Sequence, residues 1–263
     1  MMMNIPFVKM QALGNDFVIM ENRFPHGVEA EFFRYLADRR RGIGCDQILI
    51  WRQVPDSVTE MEIYNADGSQ AEACGNGARC VAWLLMRQNG EETTALRVGP
   101  RLLWAKSVGP NLVEVDMGNA DLDEEGSQQA SKLFKERAVV VSLGNPHLIF
   151  FEAHKTVDEQ RALFERAQAS SLFPKGVNVE FAERLSNQHL ATTLWERGVG
   201  ATQACGSGAC AVAYAAKMRG YSHAHVTVSM PGGDVTVEIG NTVKLTGEIS
   251  FVFRGEIDYN QHG

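Results

Sequence analysis

One register of self-similarity limits what this chain can fold into more than any other feature. Ala73-Cys74-Gly75-Asn76-Gly77-Ala78-Arg79-Cys80 has a counterpart in Ala204-Cys205-Gly206-Ser207-Gly208-Ala209-Cys210, the leading cysteines standing 131 positions apart in a chain of 263. Leu13-Gly14-Asn15 returns as Leu143-Gly144-Asn145, 130 positions on, and each copy precedes an apolar, strand-like run. Gln47 and Asn178 keep the 131 spacing, and Asn65 and Glu196 each lie nine residues ahead of their cysteine. One short string can recur by chance; four polar landmarks in one register do not. A repeat of half the chain is too long for a solenoid unit and has the size of a domain. Two homologous halves follow.

The halves are expected at 1–118 and 119–249, with a last strand at about 250–263 returning to the first. The segment 116–137 is polar, rich in turn formers and poor in apolar periodicity, and reads as the crossover between them. Short β-like runs occupy 17–20, 47–51, 61–64, 139–141, 148–151, 226–229 and 235–239, and Ile249, Phe251 and Phe253 alternate as a final strand. Residues 31–40 place Phe33, Leu36 and Ala37 on one helical face. Thr156-Val157-Asp158-Glu159 is a capping box opening another helix. The stretches after the two CGxG turns, 80–86 and 209–216, are apolar nearly all round, the mark of buried helices. The expected class is α+β: two pseudo-symmetric lobes, each a mostly antiparallel sheet wrapped around a central helix, with the active site in the cleft between them.

Composition narrows the function. The chain carries 25 basic and 32 acidic side chains, a net charge of -7, so no basic face for nucleic acid is expected. Five cysteines are an odd number and read as free thiols in a reducing compartment. Residues 1–10 lack the charged and apolar regions of a secretory signal. The uncharged run 198–216 has the length of a membrane span, yet Gly198, Gly200, Thr202, Gln203, Gly206, Ser207 and Gly208 make it too polar for lipid. A cytoplasmic protein with no membrane and no nucleic-acid partner is expected.

The two CGxG turns carry the chemistry. A helix N-terminus presents unpaired N–H groups and the positive end of a dipole. Gly75, Gly77, Gly206 and Gly208 let an anion approach the backbone closely. A cysteine at such an end gains thiolate character. If two such ends face one cleft, a substrate carboxylate takes N–H bonds from Gly75, Asn76, Gly206 and Ser207 while the sulfurs of Cys74 and Cys205 flank its α-carbon. A thiolate then removes the α-proton from one face and a thiol delivers one to the other, inverting the centre. No cofactor and no metal is needed.

In these pieces the chain resembles the diaminopimelate epimerase family. The matching motifs run in order from end to end: Lys9-Met10 with Leu13-Gly14-Asn15-Asp16-Phe17, Gly42-Ile43-Gly44-Cys45-Asp46-Gln47, Asn65-Ala66-Asp67-Gly68-Ser69, the first CGxG string, Gly144-Asn145-Pro146-His147, Asn178, Glu196-Arg197-Gly198-Val199-Gly200, the second string and Pro231-Gly232-Gly233-Asp234. The resemblance implies a cofactor-independent isomerase of lysine and cell-wall precursor synthesis, with Cys74 and Cys205 as the acid/base pair. It implies His147 and Glu196 as residues tuning the thiols. Asn15, Gln47, Asn65, Asn145, Asn178, Glu196 and Arg197 then match substrate ligands, Arg197 suiting a second carboxylate. It also implies a homodimer. Gln11-Ala12, Gln70 and Ala201 depart from residues frequent in the family, and none of them is a matched ligand.

Other readings compete residue by residue. A lone buried cysteine is ordinarily a packing residue, the reading given to Cys80, Cys210 and Cys45; duplication sets Cys74 and Cys205 apart. His223 and His225 have no further ligands at metal spacing. Neither Gly42-Ile43-Gly44 nor Gly75-Asn76-Gly77 has the third glycine of a dinucleotide fingerprint. A racemase of another amino acid, such as histidine, is the nearest rival. A non-catalytic amino-acid binder or a thiol-redox protein is the more distant one.

Overall fold

The computed structural model describes residues 4–24, 30–55, 57–71, 74–151 and 155–259. Ala73 of the first CGxG string and residues 260–263 of the expected last strand lie outside the described residues. The chain divides into two compact units: one runs to Val115 and resumes at Gly247, the other is Asp116–Thr246.

The first unit begins with a hairpin, β1 (Asn4–Ala12) and β2 (Asn15–Glu21), followed by α1 (Ala30–Ala37), β3 (Gln47–Arg52), β4 (Thr59–Asn65) and the short β5 (Gln70–Ala71). Then come α2 (Gly75–Asn89), β6 (Thr93–Val98), β7 (Arg101–Gly109) and β8 (Leu112–Asp116). The second unit repeats the plan with β9 (Asp121–Asp123) and α3 (Glu124–Phe134) added in front. Its hairpin is β10 (Ala138–Ser142) and β11 (Pro146–Phe151), followed by α4 (Val157–Gln168), β12 (Asn178–Ser186), β13 (His189–Glu196) and β14 (Gly200–Thr202). It continues with α5 (Gly206–Met218), β15 (His225–Met230), β16 (Gly233–Ile239) and β17 (Val243–Glu248), and β18 (Ser250–Asp258) ends the chain against β1 of the first unit.

Strand pairing shows the duplication directly. β1 and β2 are antiparallel, β2 and β3 parallel, β3 and β4 antiparallel, β4 and β6 parallel, β6 and β7 antiparallel. The second unit matches this with β10 and β11 antiparallel, β11 and β12 parallel, β12 and β13 antiparallel, β13 and β15 parallel, β15 and β16 antiparallel. The register is conserved as well: Phe17 faces Gln47 across β2 and β3, and His147 faces Asn178 across β11 and β12.

Each sheet separates two helical layers, and the two-residue strand period sorts side chains between them. Val18, Met20, Ile48 and Ile50 join Phe32, Phe33 and Leu36 of α1 in one apolar cluster. Leu148, Phe150, Val179 and Phe181 join Leu163 and Ala167 of α4 in its counterpart. The alternate positions, Phe17 and Leu49 in one unit and His147 and Glu180 in the other, therefore point to the opposite face. That face holds the central helix. Ten residues of α2, Asn76 through Met86 with Leu84 excepted, are buried, as is most of α5.

Two details differ from the sequence reading. The segment 116–137 is not plain crossover: it contains α3, capped by Asp123, whose side chain accepts from the Gly126 N–H, with Ala130 and Phe134 buried one turn apart. Two apolar residues suffice because α3 lies on the surface, so its periodicity is faint. The helix expected over 31–40 stops at Ala37, where Asp38 takes the Arg40 and Arg41 N–H groups at 2.7 and 2.9 Å and turns the chain. The alternating run at the chain's end is a strand, β18 paired with β1, with Phe251, Val252 and Phe253 exposed and Ile249 ahead of it buried. Among the described residues no helix is long and apolar enough to cross a membrane; the uncharged run 198–216 holds β14 and most of α5.

Candidate functional site

Cys74 and Cys205 hold the same structural position. Each is the N-cap of its central helix in extended backbone, with φ −151° and ψ 102° at Cys74 and φ −133° and ψ 115° at Cys205. A helix leaves its first N–H groups unpaired, and the capping side chain normally supplies an oxygen to one of them. Here sulfur does so: Cys74 Sγ accepts from Gly77 N at 3.2 Å and Cys205 Sγ from Gly208 N at 3.4 Å. Glycine at that third helical position is a packing requirement. A Cβ at Gly77 would meet Leu49 at 2.9 Å, and one at Gly208 would meet Leu194 at 2.8 Å and Glu180 Oε1 at 2.9 Å.

Beside Cys74 stands an amide, and a second pair of amides lies on the neighbouring strands. The Cys74 thiol is 3.8 Å from Asn15 Oδ1, and Asn15 Nδ2 donates to Asp46 Oδ2 at 3.1 Å. Gln47 Nε2 donates to Asn65 Oδ1 at 3.0 Å, and Asn65 Nδ2 donates to Ser69 Oγ at 3.1 Å. Asn76 is buried, its Oδ1 taking a hydrogen bond from Arg79 Nη2 at 2.9 Å. The unit thus brings Asn15 to Cys74 and Gln47 to Asn65, with Gly75 and Asn76 in the first turn of the helix that Cys74 caps.

A charge cluster behind Asn15 escaped the sequence reading. Lys9 Nζ meets Asp16 at 2.6 Å and also reaches the Gly44 carbonyl, while Arg39 bridges Asp16 at 2.7 Å and Asp46 at 2.8 Å. Burial alone would raise the Asp16 carboxyl, but the hydrogen bonds from Arg39 and Lys9 win and hold it well below the usual carboxylate range. The signal was present: Asp16 and Asp46 each adjoin a motif residue, Asn15 and Gln47.

Around Cys205 the neighbours are ionisable. Glu196 hydrogen-bonds Cys205, and burial raises its carboxyl above the ordinary value. Cys205 is buried and lies 3.5 Å from Ser207 Oγ. Burial first, then the Glu196 carboxylate, pushes its thiol well above the ordinary value despite the Ser207 and Gly208 hydrogen bonds. Sequence reasoning assigned thiolate character to both cysteines from the helix end alone. At Cys205 that field, worth about 1 kcal/mol, is outweighed by desolvation, which moves fully buried groups by several pKa units.

His147 is fully buried, its Nδ1 2.6 Å from Glu180 Oε1 and its Nε2 3.3 Å from Asn145 Oδ1. Asn178 Oδ1 accepts from the Arg197 backbone N–H at 3.0 Å, and its Nδ2 donates to the Pro146 carbonyl at 3.4 Å. The Arg197 side chain lies along Gly176 and donates to the Lys175 carbonyl at 3.2 Å. Glu196, and through Glu180 also His147 and Asn145, thereby reach the helix end that Gly206 and Ser207 begin, while Asn178 and Arg197 are joined to each other. Glu180 is the member the sequence reading missed, although it stands two residues past Asn178 and so on the same face. Among the described residues no group of three or more His, Cys, Asp or Glu side chains is arranged to hold a metal ion. Cys80 and Cys210 are fully buried packing residues, and burial pushes the Cys45 thiol up to about 12.

Comparison with known proteins gives a single pattern. The family model described as diaminopimelate epimerase matches residues 7–122 and 139–252. A diaminopimelate epimerase of Rickettsia typhi is 39% identical over 269 residues, covering 97% of this chain and 98% of that one. Those of Rickettsia prowazekii and Phenylobacterium zucineum are 38% and 36% identical, covering 99% and 97% of this chain and 100% and 98% of their own. Among solved structures, a predicted epimerase from Pseudomonas aeruginosa aligns with TM-score 0.73 at 15% identity over 96% of this chain and 99% of that one. A hydroxyproline epimerase from Agrobacterium vitis, bound to trans-4-hydroxy-L-proline, aligns with TM-score 0.71 at 12% identity over 97% and 93%. At such identities these two speak for the fold.

Proposed function

The chain belongs to the diaminopimelate epimerase family and is an isomerase epimerising diaminopimelate in lysine biosynthesis, and we propose that it does so with Cys74 and Cys205 as a cofactor-free acid/base pair. One observation carries the mechanism: both repeated cysteines cap their helices with sulfur, so each stands beside N–H donors suited to a carboxylate.

The reaction inverts an α-carbon. One thiolate takes the α-hydrogen as a proton, and the C–H electron pair spreads into the adjacent carboxylate. N–H groups of Gly75, Asn76, Gly206 and Ser207 stabilise that developing charge. The other cysteine gives its S–H proton to the opposite face of the carbon and becomes the thiolate, so each sulfur ends in the state its partner began in. In the resting enzyme Cys205 is the thiol, because burial and Glu196 oppose its ionisation, and Cys74 is the base. Glu196 tunes Cys205 through their hydrogen bond. Asn15, Gln47, Asn65, Asn145, Asn178 and Arg197 bind the substrate, Arg197 taking the distal carboxylate.

The protein works in the cytoplasm, also supplying cell-wall precursor synthesis, and as a homodimer. The exposed Phe251, Val252 and Phe253 of β18 form an apolar stripe that a second copy would cover. Light scattering is expected to give twice the 29.0 kDa chain mass. The reaction itself is tested by incubating the protein with diaminopimelate in deuterated water without additions. Deuterium at the α-carbon and formation of the other epimer are expected. Turnover of a different amino acid, histidine for example, in preference to diaminopimelate would replace the substrate, and no α-exchange with any amino acid would overturn the mechanism.

A further inference from the structure

Each CGxG turn sets one residue with a side chain between two glycines, Asn76 in the first unit and Ser207 in the second. Glycine offers no side-chain atom to hold it by, so that one side chain is the handle on the turn. The two handles are held differently. Ser207 Oγ lies 3.5 Å from Sγ of Cys205, the cysteine of its own turn. Asn76 is buried instead, and its Oδ1 accepts from Arg79 Nη2 at 2.9 Å, one helical turn further along α2. A guanidinium carries donors and no acceptor, so the Asn76 amide is oriented with its oxygen toward Arg79.

Arg79 is a costly residue for this place. It is 0% exposed, and taking a guanidinium out of water is unfavourable even when it is hydrogen-bonded. The corresponding residue of α5, 131 positions on, is the small Cys210, which is buried as fully. The same helix plan therefore works without a cation here. The backbone opposite is cleared to admit one. Gly247 is the residue at which the chain re-enters the first unit, and a Cβ there would meet Arg79 Cζ at 3.0 Å and its Nε and Nη2 at 3.1 Å. A methyl group at that distance must displace the guanidinium.

We propose that Arg79 is a positioning residue for the carboxylate-binding turn of the first unit. Seated against Gly247, it holds Asn76 by the side chain and so fixes the Gly75 and Asn76 N–H groups beside Cys74. Being fully buried, it acts through Asn76 and does not meet the substrate. Those N–H groups stabilise the charge that develops on the carboxylate, so their displacement lowers the rate of the chemical step.

This inference rests on the reading of the turn as a carboxylate site, but its first measurement does not. Cys74 holds the Gly77 N–H through Sγ at 3.2 Å and the Ala78 N–H through its carbonyl at 2.9 Å. Cys205 holds Gly208 and Ala209 in the same way, at 3.4 and 3.0 Å, and so supplies a control within the molecule. Arg79→Met fills the place without a donor. In it, amide hydrogen exchange at Gly77 and Ala78 is expected to quicken at least about tenfold while Gly208 and Ala209 stay within about twofold. Its kcat is expected to fall about 10- to 100-fold. Gly247→Ala presses on the guanidinium from the far side and should show the same pattern, with kcat lowered about three- to tenfold. It leaves every polar group in place and carries the same test if Arg79→Met does not fold. Arg79→Lys, which keeps an N–H donor, should hold exchange at Gly77 and Ala78 within about threefold of wild type. Equal quickening at both turns would make Arg79 a residue of general stability and overturn the proposal. Unchanged exchange at Gly77 and Ala78, or an unchanged kcat, would overturn it as well. Absence of α-hydrogen exchange in the wild-type protein would instead overturn the functional reading and leave the amide measurement standing.

Discussion

The surroundings of the two capping cysteines are built on one plan and filled with different chemistry. Cys74 has the Asn15 amide beside it, in a unit that also pairs Gln47 with Asn65, and is partly exposed; Cys205 has the acids Glu196 and Glu180 near it, with His147 against Glu180, and is buried. Corresponding positions carry Asn65 and Glu196, Phe17 and His147, Leu49 and Glu180. Strand pairing, helix cap and the capping glycines are common to both. The difference teaches that backbone geometry alone does not set a thiol's protonation. The same helix end holds one sulfur beside an amide and the other in a buried, ionisable cluster.

The largest effect expected from breaking this comparison is loss of the sulfurs themselves. Cys74→Ala and Cys205→Ala should each lower epimerisation at least ~10³-fold, within the contribution of positioned acids and bases compounded by the loss of the only partner for the other sulfur. Coupled assay of epimer formation measures it. Either variant retaining more than about a tenth of the activity would remove its cysteine from the mechanism.

Next in size is a transplant. His147→Phe alone leaves the Glu180 carboxylate buried without its hydrogen-bond partner and should cost about 3–5 kcal/mol of stability. The double variant His147→Phe with Glu180→Leu copies the Phe17 and Leu49 of the other unit and should regain most of that loss, within about 2 kcal/mol of wild type. Urea denaturation reads both. Its kcat should remain low despite the recovered fold, because the polar His147 and Glu180 side chains beside the helix end that Cys205 caps are gone. A double variant as unstable as the single one would mean that the two places are not equivalent.

A smaller effect concerns reactivity at rest. A partly exposed cysteine among amides should alkylate faster than a buried thiol held protonated, so iodoacetamide at pH 7 should label Cys74 at least about tenfold faster than Cys205. Peptide mass mapping against time measures the ratio. Faster labelling of Cys205 would reverse the assignment of resting acid and base.

Much of this was legible in the sequence, for identifiable reasons. The repeat register fixed which residues correspond, and strand alternation then separated Val18 and Ile48, which pack on α1, from Phe17 and Gln47, which do not. Both buried helices showed as runs apolar all round. Where the reading failed, the signal was physically weak. α3 buries little beyond Ala130 and Phe134 and so has almost no period. Glu180 was overlooked because a carboxylate between apolar neighbours suggests an outward position. Only alignment with Leu49 turns it inward. Asp46 was named within its motif, but its service to Asn15 depends on Arg39 and Asp16, whose meeting is tertiary.

That last cluster gives the smallest expected effect and the clearest sign. Asp16 has a depressed carboxyl in the folded protein, held by Arg39 and Lys9 against the cost of its burial. A depressed pKa means the unfolded chain binds the proton more readily, so the stabilisation is present above the unfolded value near pH 4 and lost as pH falls below it. Asp16→Asn should therefore lower stability by about 2 kcal/mol at pH 7, the scale of a truncated, partly buried ion pair. The gap between variant and wild type should narrow steadily from about pH 4 downward. Because Asp46 orients Asn15 through a direct hydrogen bond, the variant should change epimerisation by less than about tenfold. A stability gap that stays constant from pH 7 to pH 3 would show that Asp16 supports the first unit through its shape alone and that its charge contributes nothing to holding Asn15 beside Cys74.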